Sequence, residues 1–139
     1  MAKKIALDAL DDANSWFDVA IMSGKTGKYN IGLYSLEMAL EIVMKAVLIN
    51  LDVNYPKVHD IMPTFLNAVS ENKGKLPKEF IDKEDLIMKT FRELLKRRGP
   101  AGYTFSSDIK ISDLEGDFKK YGKITKELID LCIKAVKFK

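Results

Sequence analysis

The sequence predicts an all-α protein, an up-and-down bundle of four or five helices. Apolar residues recur every three or four positions through most of the chain, which is the period of an amphipathic helix. Gly27 to Leu51 is a stretch of good helix formers without proline. Ile109 and Ile111 alternate with polar neighbours, but no second run could pair with them as a strand. Residues 1–139 therefore form one helical domain.

The stretch from Gly27 to Leu51 is predicted to be the central helix. Apolar side chains cover nearly its whole circumference, so other helices or a second copy of the chain must bury it. Its only central charges, Glu37, Glu41 and Lys45, are spaced four residues apart and form one polar line along the helix. Because so many sides of this helix are apolar, we predict a homodimer.

One helix is predicted before the central helix and one after it. An amphipathic first helix ends at Gly24, and its short connection to Gly27 makes an antiparallel hairpin with the central helix. After the loop that follows Leu51, Asp60 is a candidate N-cap for a short third helix. Pro63 fits only within the first turn of that helix.

Two longer helices are predicted in the second half. The fourth helix begins at Pro77 and stops at Gly99-Pro100, because proline cannot continue a helix and restricts the residue before it. A long irregular loop follows, and a final helix carries an apolar stripe from Leu114 to Val136. Cys132 lies on that stripe and is predicted to be a buried core thiol.

Composition excludes several classes of protein. A single cysteine rules out an internal disulfide. Acidic residues near the N-terminus do not suit a signal peptide, and no uncharged run approaches the ~18 to 20 residues of a membrane span. We therefore expect a soluble cytoplasmic protein with no membrane contact. The net charge of +3 is too small to argue for nucleic-acid binding, so that argument requires a local patch.

Two tempting motifs carry little chemistry. Gly24-Lys25-Thr26 resembles the end of a phosphate-binding loop, but Val19 stands where the motif needs glycine, and a helix precedes it instead of a strand. His59 is the only histidine, and no metal-ligand partner stands at a recognisable spacing. We therefore favour a structural hydrogen bond as the role of His59 over a role in a functional site. We predict no metal and no cofactor.

The C-terminal half of the fourth predicted helix is strongly basic. Five cations fall within ten residues, namely Lys89, Arg92, Lys96, Arg97 and Arg98. Cations stabilise a helix C-terminus, which is the structural explanation, but this number exceeds what capping needs. The following loop places Tyr103 and Phe105 beside them, and cations next to aromatic residues are typical of nucleic-acid contacts. This end is the candidate surface for an anion or phosphate.

The order of these features resembles the HEPN domain family (higher eukaryotes and prokaryotes nucleotide-binding). In the second helix the resemblance rests on Gly27-Lys28-Tyr29 and on an E-x-x-x-K-A register at Glu41, Lys45 and Ala46. In the following loop, Pro56 and the run His59-Asp60 match the family's proline followed by His-Asp-Leu, with Ile61 in place of leucine.

The end of the fourth helix also resembles this family. Residues 98–103 are similar to its R-x-x-A-D-Y signature, with Gly102 in place of aspartate, while Met38 replaces the family's frequent glutamine. The resemblance implies a bundle that dimerises and that is often encoded beside a minimal nucleotidyltransferase, as in a toxin–antitoxin pair. Active members are metal-independent endoribonucleases with an R-x(4–6)-H motif. Arg98 matches the arginine of that motif, but Tyr103 stands where histidine could follow.

The missing histidine bears on function, because a tyrosine with a pKa of ~10 is a poor base at neutral pH. The favoured hypothesis is a binding module in which Arg98, Tyr103 and the cations Lys89, Arg92, Lys96 and Arg97 hold RNA or a nucleotide, or dock a nucleotidyltransferase. The alternative is an endoribonuclease in which Arg98 stabilises the phosphorane and His59 or Tyr103 transfers protons. A third hypothesis is a purely structural dimer in which Arg98 pairs with Glu37 or Glu41.

Overall fold

The computed structural model describes residues 2–139, which form six α-helices. The helices are α1 (Ala2–Lys25), α2 (Tyr29–Asn50), α3 (Met62–Glu71), α4 (Lys78–Asp82), α5 (Glu84–Gly102) and α6 (Glu115–Val136). Short 3-10 turns lie at Lys73–Lys75, Thr104–Ser106 and Ile111–Leu114. No strand occurs in this part of the chain, which confirms the all-α prediction. None of its helices combines the length and apolar character needed to cross a membrane.

Helix α2 is the centre of the bundle. A tight turn at Gly27, whose φ of 73° favours glycine, sends the chain back so that α1 packs along α2. Helices α5 and α6 cover other sides of α2. Its fully or almost fully buried apolar side chains include Leu33, Leu36, Leu40, Val43, Met44, Val47 and Leu48.

This burial removes the reason for which a dimer was expected. A single copy of the chain already covers most of the apolar surface of α2. Of the two ways predicted to bury this helix, the other helices of the same chain account for most of the burial. Dimerisation itself stays a prediction, and it must rest on other surfaces.

The predicted fourth helix is two helices, and its end lies later than expected. The break is at Lys83, between α4 and α5, and it allows Phe80 and Ile87 on its two sides to be fully buried. Helix α5 then continues through Pro100 to Gly102, so the prediction of a stop at Gly99-Pro100 was wrong. Ala101 is almost fully buried, and packing of this small residue holds the last turn in place despite the proline.

Two smaller predictions concern Asp60 and Cys132. The N-cap of α3 is Ile61, one residue later than predicted, but the Asp60 carboxylate accepts a hydrogen bond from the Met62 N–H at 3.1 Å. Cys132 is fully buried on α6, as predicted, and burial raises the pKa of its thiol to about 12. This thiol is therefore an inert part of the core.

The ring of Phe118 on α6 lies in a gap that two glycines create between α1 and α2. A Cβ atom added at Gly32 would lie 2.5 Å from a Phe118 ring carbon, and one added at Gly24 would clash with the same ring. Tyr29 contacts this ring as well, with ring centroids 5.7 Å apart. The ring is held between two helices and has no free side toward which it could move.

We expect Gly32→Ala to destabilise the fold, although alanine is the better helix former. The added methyl group meets a confined ring, and overpacking of this kind costs about 1 to 3 kcal/mol, more than the ~1 kcal/mol gained in helix propensity. Urea denaturation measures the difference. Gly116→Ala is the matched control, because a Cβ atom there meets nothing within 4 Å. Equal stability of the two variants would contradict this account of the Phe118 site.

Candidate functional site

The polar line of α2 faces the C-terminal end of α5. Glu37 is fully buried, and its carboxylate accepts a hydrogen bond of 2.7 Å from Nη1 of Arg98. The same nitrogen lies 3.8 Å from Glu41, one helical turn further along α2. Arg98 therefore pairs with both glutamates, which is the contact that the structural hypothesis required.

Two other side chains of α2 hold the Arg98 guanidinium. Its Nη2 donates a hydrogen bond to the Tyr34 hydroxyl at 2.6 Å, and the guanidinium lies 4.4 Å from the centre of that ring. Nη1 also contacts the Met38 sulfur at 3.2 Å. Sequence analysis missed Tyr34, which looked like one more apolar residue of a buried helix. Its position three residues before Glu37 was the only available signal.

Glu41 brings two further groups into the cluster. Lys45 donates a hydrogen bond to Glu41 at 2.9 Å, so the polar line predicted on α2 is a continuous set of contacts. Nδ1 of His59, from the loop before α3, lies 3.0 Å from the other oxygen of Glu41. Glu41 is thus contacted by Lys45 and His59, with Arg98 close by. The structure brings the candidates His59 and Arg98 to the same carboxylate, although 39 positions separate them in the chain.

The two glutamates differ in protonation because their surroundings differ. Burial, followed by the nearby Glu41 carboxylate, raises the pKa of Glu37 to about 8, against the opposing effect of Arg98. Burial alone would also disfavour ionised Glu41, but the neighbouring Glu37 carboxyl and the contacts with Lys45 and His59 outweigh it and lower the pKa of Glu41. At neutral pH the pair therefore holds one proton, on Glu37. The remaining oxygen of Glu37 has no other partner among the described residues.

The side chains around Glu41 include types that can bind a metal ion, but the charges beside them do not suit one. Ligand atoms of Glu37, Glu41 and His59 lie within 4.8 Å of one another. Arg98 and Lys45 already place positive charge on these carboxylates, and a protonated Glu37 is a poor ligand. The arrangement is therefore an ion-pair network, and the expectation of no metal remains a prediction.

An open cavity of about 320 Å³ lies beside Arg98. It is lined by Tyr34, Leu95, Arg98, Gly99, Gly102 and Tyr103. Tyr103 is well exposed. The two glycines have no side chains that would fill the cavity, and a Cβ atom at either position would meet nothing within 4 Å. An arginine between two tyrosines in an open cavity can receive an anionic group together with a flat ring.

The basic residues of α5 do not form one surface. Nine positions separate Lys89 from Arg98, which at about 100° per residue places them on opposite faces of the helix. Lys89, Arg92 and Lys96 form an exposed stripe, which we call the basic stripe. Within residues 2–139, neither Lys89 nor Arg92 has an ion-pair partner, whereas Lys96 lies 3.4 Å from Glu93.

Arg97 points in a third direction. It donates a hydrogen bond of 2.8 Å to Asp117 on α6 and lies 4.8 Å from the ring centre of Tyr121. Arg97 thus joins α5 to α6. Of the six residues predicted to bind RNA, two line the cavity, three form the basic stripe, and Arg97 has a structural contact.

We expect the stability of the protein to fall as pH rises from about 6 to 8. In this window Glu37 is ionised in the unfolded chain but keeps its proton in the folded one, because burial raises its folded pKa to about 8. The folded state binds the extra proton, so the free energy of unfolding drops by up to about 1.4 kcal/mol per pH unit. Glu37→Gln cannot ionise and should lose this dependence.

Urea denaturation at several pH values measures the effect. Glu127→Gln, which removes an exposed carboxylate from α6, is the control and should keep the wild-type slope. A Glu37→Gln variant with an unchanged slope would show that another group causes the dependence.

Comparison with known proteins bears on this geometry. No curated protein and no solved structure matches the chain significantly. The profile of the HEPN domain matches residues 6–137, which is nearly the whole chain. That range contains the basic stripe, Arg98 and the residues grouped around it, namely Tyr34, Glu37, Met38, Glu41, Lys45 and His59. The chain therefore belongs to the HEPN domain family.

Proposed function

We propose that this protein is a nucleotide- or RNA-binding module whose ligand site is the cavity beside Arg98. The observation that carries the proposal is the guanidinium of Arg98, which lines an open cavity between Tyr34 and Tyr103. The family supports a nucleotide- or RNA-related role. A phosphate fits the guanidinium, and a base or sugar fits against the tyrosines.

The contacts of Arg98 do not use up its capacity to bind a ligand. Arginine has five N–H donors. The contacts with Glu37 and the Met38 sulfur use both donors of Nη1, and the hydrogen bond to Tyr34 uses one of Nη2, which leaves one donor of Nη2 and the Nε–H for a ligand. Because burial raises the pKa of Glu37 to about 8, Glu37 adds little negative charge beside the guanidinium at neutral pH, and the ionised member of the pair, Glu41, lies further away at 3.8 Å. Arg98 is therefore a positioned cation that lines the cavity, with 18% of its side chain exposed.

The basic stripe supplies a second contact for ligands longer than one nucleotide. Its three cations are exposed at successive turns of α5 and suit a chain of phosphates. They lie on the opposite face of the helix from Arg98, so a mononucleotide in the cavity would not reach them. The cavity and the basic stripe can therefore be tested separately.

Arg98→Lys should weaken binding of a fluorescently labelled single-stranded RNA about tenfold in an anisotropy titration. Lysine keeps the charge but loses the planar fork that can hold Tyr34 and a phosphate together. Arg97→Lys is the matched control, because Arg97 contacts Asp117 outside the cavity. Equal affinities of the two variants would reject the cavity as the ligand site.

The same titration tests the basic stripe through its salt dependence. The triple variant Lys89→Glu, Arg92→Glu, Lys96→Glu should bind RNA more weakly and with a shallower slope against salt, by about 0.7 for each lost single-strand phosphate contact. A charge-matched control reverses Lys123 and Lys126 of α6 and Lys137, which directly follows that helix. If both triple variants behave alike, net charge explains the effect and the stripe has no specific role.

Membership of the HEPN family leads us to propose two kinds of protein contact as well. One is a homodimer, and the other is a complex with a nucleotidyltransferase of the toxin–antitoxin kind. Exposed apolar side chains on α1 support a protein contact, since Ile5, Val19 and Met22 are each more than one-third exposed. The central helix no longer supports it, because that helix is covered within one chain.

A metal-independent endoribonuclease is the second candidate function. The observation that favours it is the Glu41 carboxylate, which lies 3.0 Å from Nδ1 of His59 and 3.8 Å from Arg98. A carboxylate on one ring nitrogen orients a histidine so that the other nitrogen can exchange a proton, as a general acid or base does. His59 is half-exposed and could meet an RNA that Arg98 holds.

On this hypothesis His59→Ala should reduce cleavage of RNA in EDTA by 100-fold or more, the usual contribution of about 10²–10⁴ from one acid or base. His59 is exposed, so circular dichroism should show an intact fold. Tyr103→Phe is the parallel variant, because Tyr103 stands at the motif position of histidine. Intact RNA with the wild-type protein would reject the enzyme, and the binding proposal would remain.

A further inference from the structure

The turn after α5 presents two aromatic rings to solvent. Phe105 is 85% exposed, more than any other large apolar side chain in residues 2–139, and Tyr103 is 63% exposed. Their ring centroids lie 6.1 Å apart with the planes inclined by 54°. A phenylalanine exposed to this extent contributes almost nothing to the core. Its ring is therefore available for contact with a ligand.

This turn is held in place by the backbone and by α2. Ser106 N–H donates to the Tyr103 carbonyl at 3.1 Å, and Tyr103 N–H donates to the Pro100 carbonyl at 3.3 Å. The Asn30 amide on α2 contacts the Thr104 hydroxyl at 3.5 Å. The rings are thus carried by a hydrogen-bonded 3-10 turn next to the bundle, so a ligand would not have to order the backbone of this turn first.

Tyr103 connects this aromatic pair to the cavity beside Arg98. It lines that cavity, and its ring also contacts Phe105. A ligand that occupies both places must combine an anionic group for the guanidinium with a flat, apolar ring for Phe105. A nucleotide within an RNA strand has both groups, since its phosphate is charged and its base presents a π face.

The base must also be unpaired. In a duplex both faces of each base are covered by stacked neighbours, so an aromatic side chain on a surface turn cannot reach them. In a single strand the bases can turn outward and stack on aromatic residues. The exposed ring therefore selects the form of RNA and not only its charge.

We propose that Phe105, supported by Tyr103, is a stacking site for one unpaired base of single-stranded RNA. The inference rests on the proposed RNA-binding function and adds the class of ligand and a residue that selects it. Arg98 binds the phosphate, and the turn at Thr104–Ser106 binds the base. Duplex RNA keeps only the charge contacts.

The test compares two RNAs of one sequence, a single strand and its duplex, in anisotropy titrations with the full chain. Phe105→Ala should weaken binding of the single strand about tenfold and leave the duplex unchanged. Phe105→Trp keeps a flat ring and should retain binding. Phe138→Ala is the matched control, since Phe138 is also exposed but lies after α6, away from the turn.

A double-mutant cycle then asks whether the partner is a base. The single strand is prepared with one abasic position at a time, and each RNA is titrated against wild type and Phe105→Ala. At one position the loss from the missing base and the loss from Phe105→Ala should not add, because each removes the same contact. Additive losses at every position would overturn the stacking proposal.

These outcomes separate the stacking site from the function on which it rests. If Arg98→Lys weakens binding of the single strand and Phe105→Ala does not, RNA binding stands and the stacking site is rejected. The same rejection follows if Phe105→Ala weakens the duplex equally, or if it releases a protein partner while RNA affinity is unchanged. If the wild type binds neither RNA, both proposals fall.

Discussion

Burial of two carboxylates in the central helix is the constraint on which the arrangement of this protein depends. Glu37 and Glu41 lie one turn apart on a helix that is otherwise apolar, and both are almost fully buried. A buried polar group without a partner costs about 1 to 3 kcal/mol, and more if it is charged. Arg98 from α5 and His59 from the loop before α3 supply partners for one oxygen of Glu37 and for Glu41, so the glutamates determine how those two segments lie against α2.

The same constraint shapes the candidate site. Arg98 is held by Glu37 and Tyr34, which restricts its rotamers while the residue lines the cavity. Because burial keeps a proton on Glu37 at neutral pH, the guanidinium keeps its positive character. The contact that a structural hypothesis requires is therefore compatible with a binding role. Some N–H donors of Arg98 make the contacts that stabilise the fold, and the others are left to bind a ligand.

Much of the fold could be predicted from local spacing, and much less of the site. Helical periodicity predicted the buried α2, its polar line and the core position of Cys132. It failed at Pro100, where burial of Ala101 outweighs the local preference of proline. Tyr34 was missed because a tyrosine on an apolar helix looks like a core residue until its hydroxyl is seen to contact a charge.

What the sequence by itself determined is the all-α class, most of the helices and the line of charges on α2, because each depends on spacing within a few residues. Only the tertiary structure decided which cation of α5 meets that line. Five residues of α5 carry the same positive charge, but a helix turns by about 100° per residue and so directs them to different sides. They are Lys89, Arg92, Lys96, Arg97 and Arg98. Packing against α2 then partly buries Arg98 and leaves the basic stripe in solvent, because the two glutamates require a cation where the helices meet.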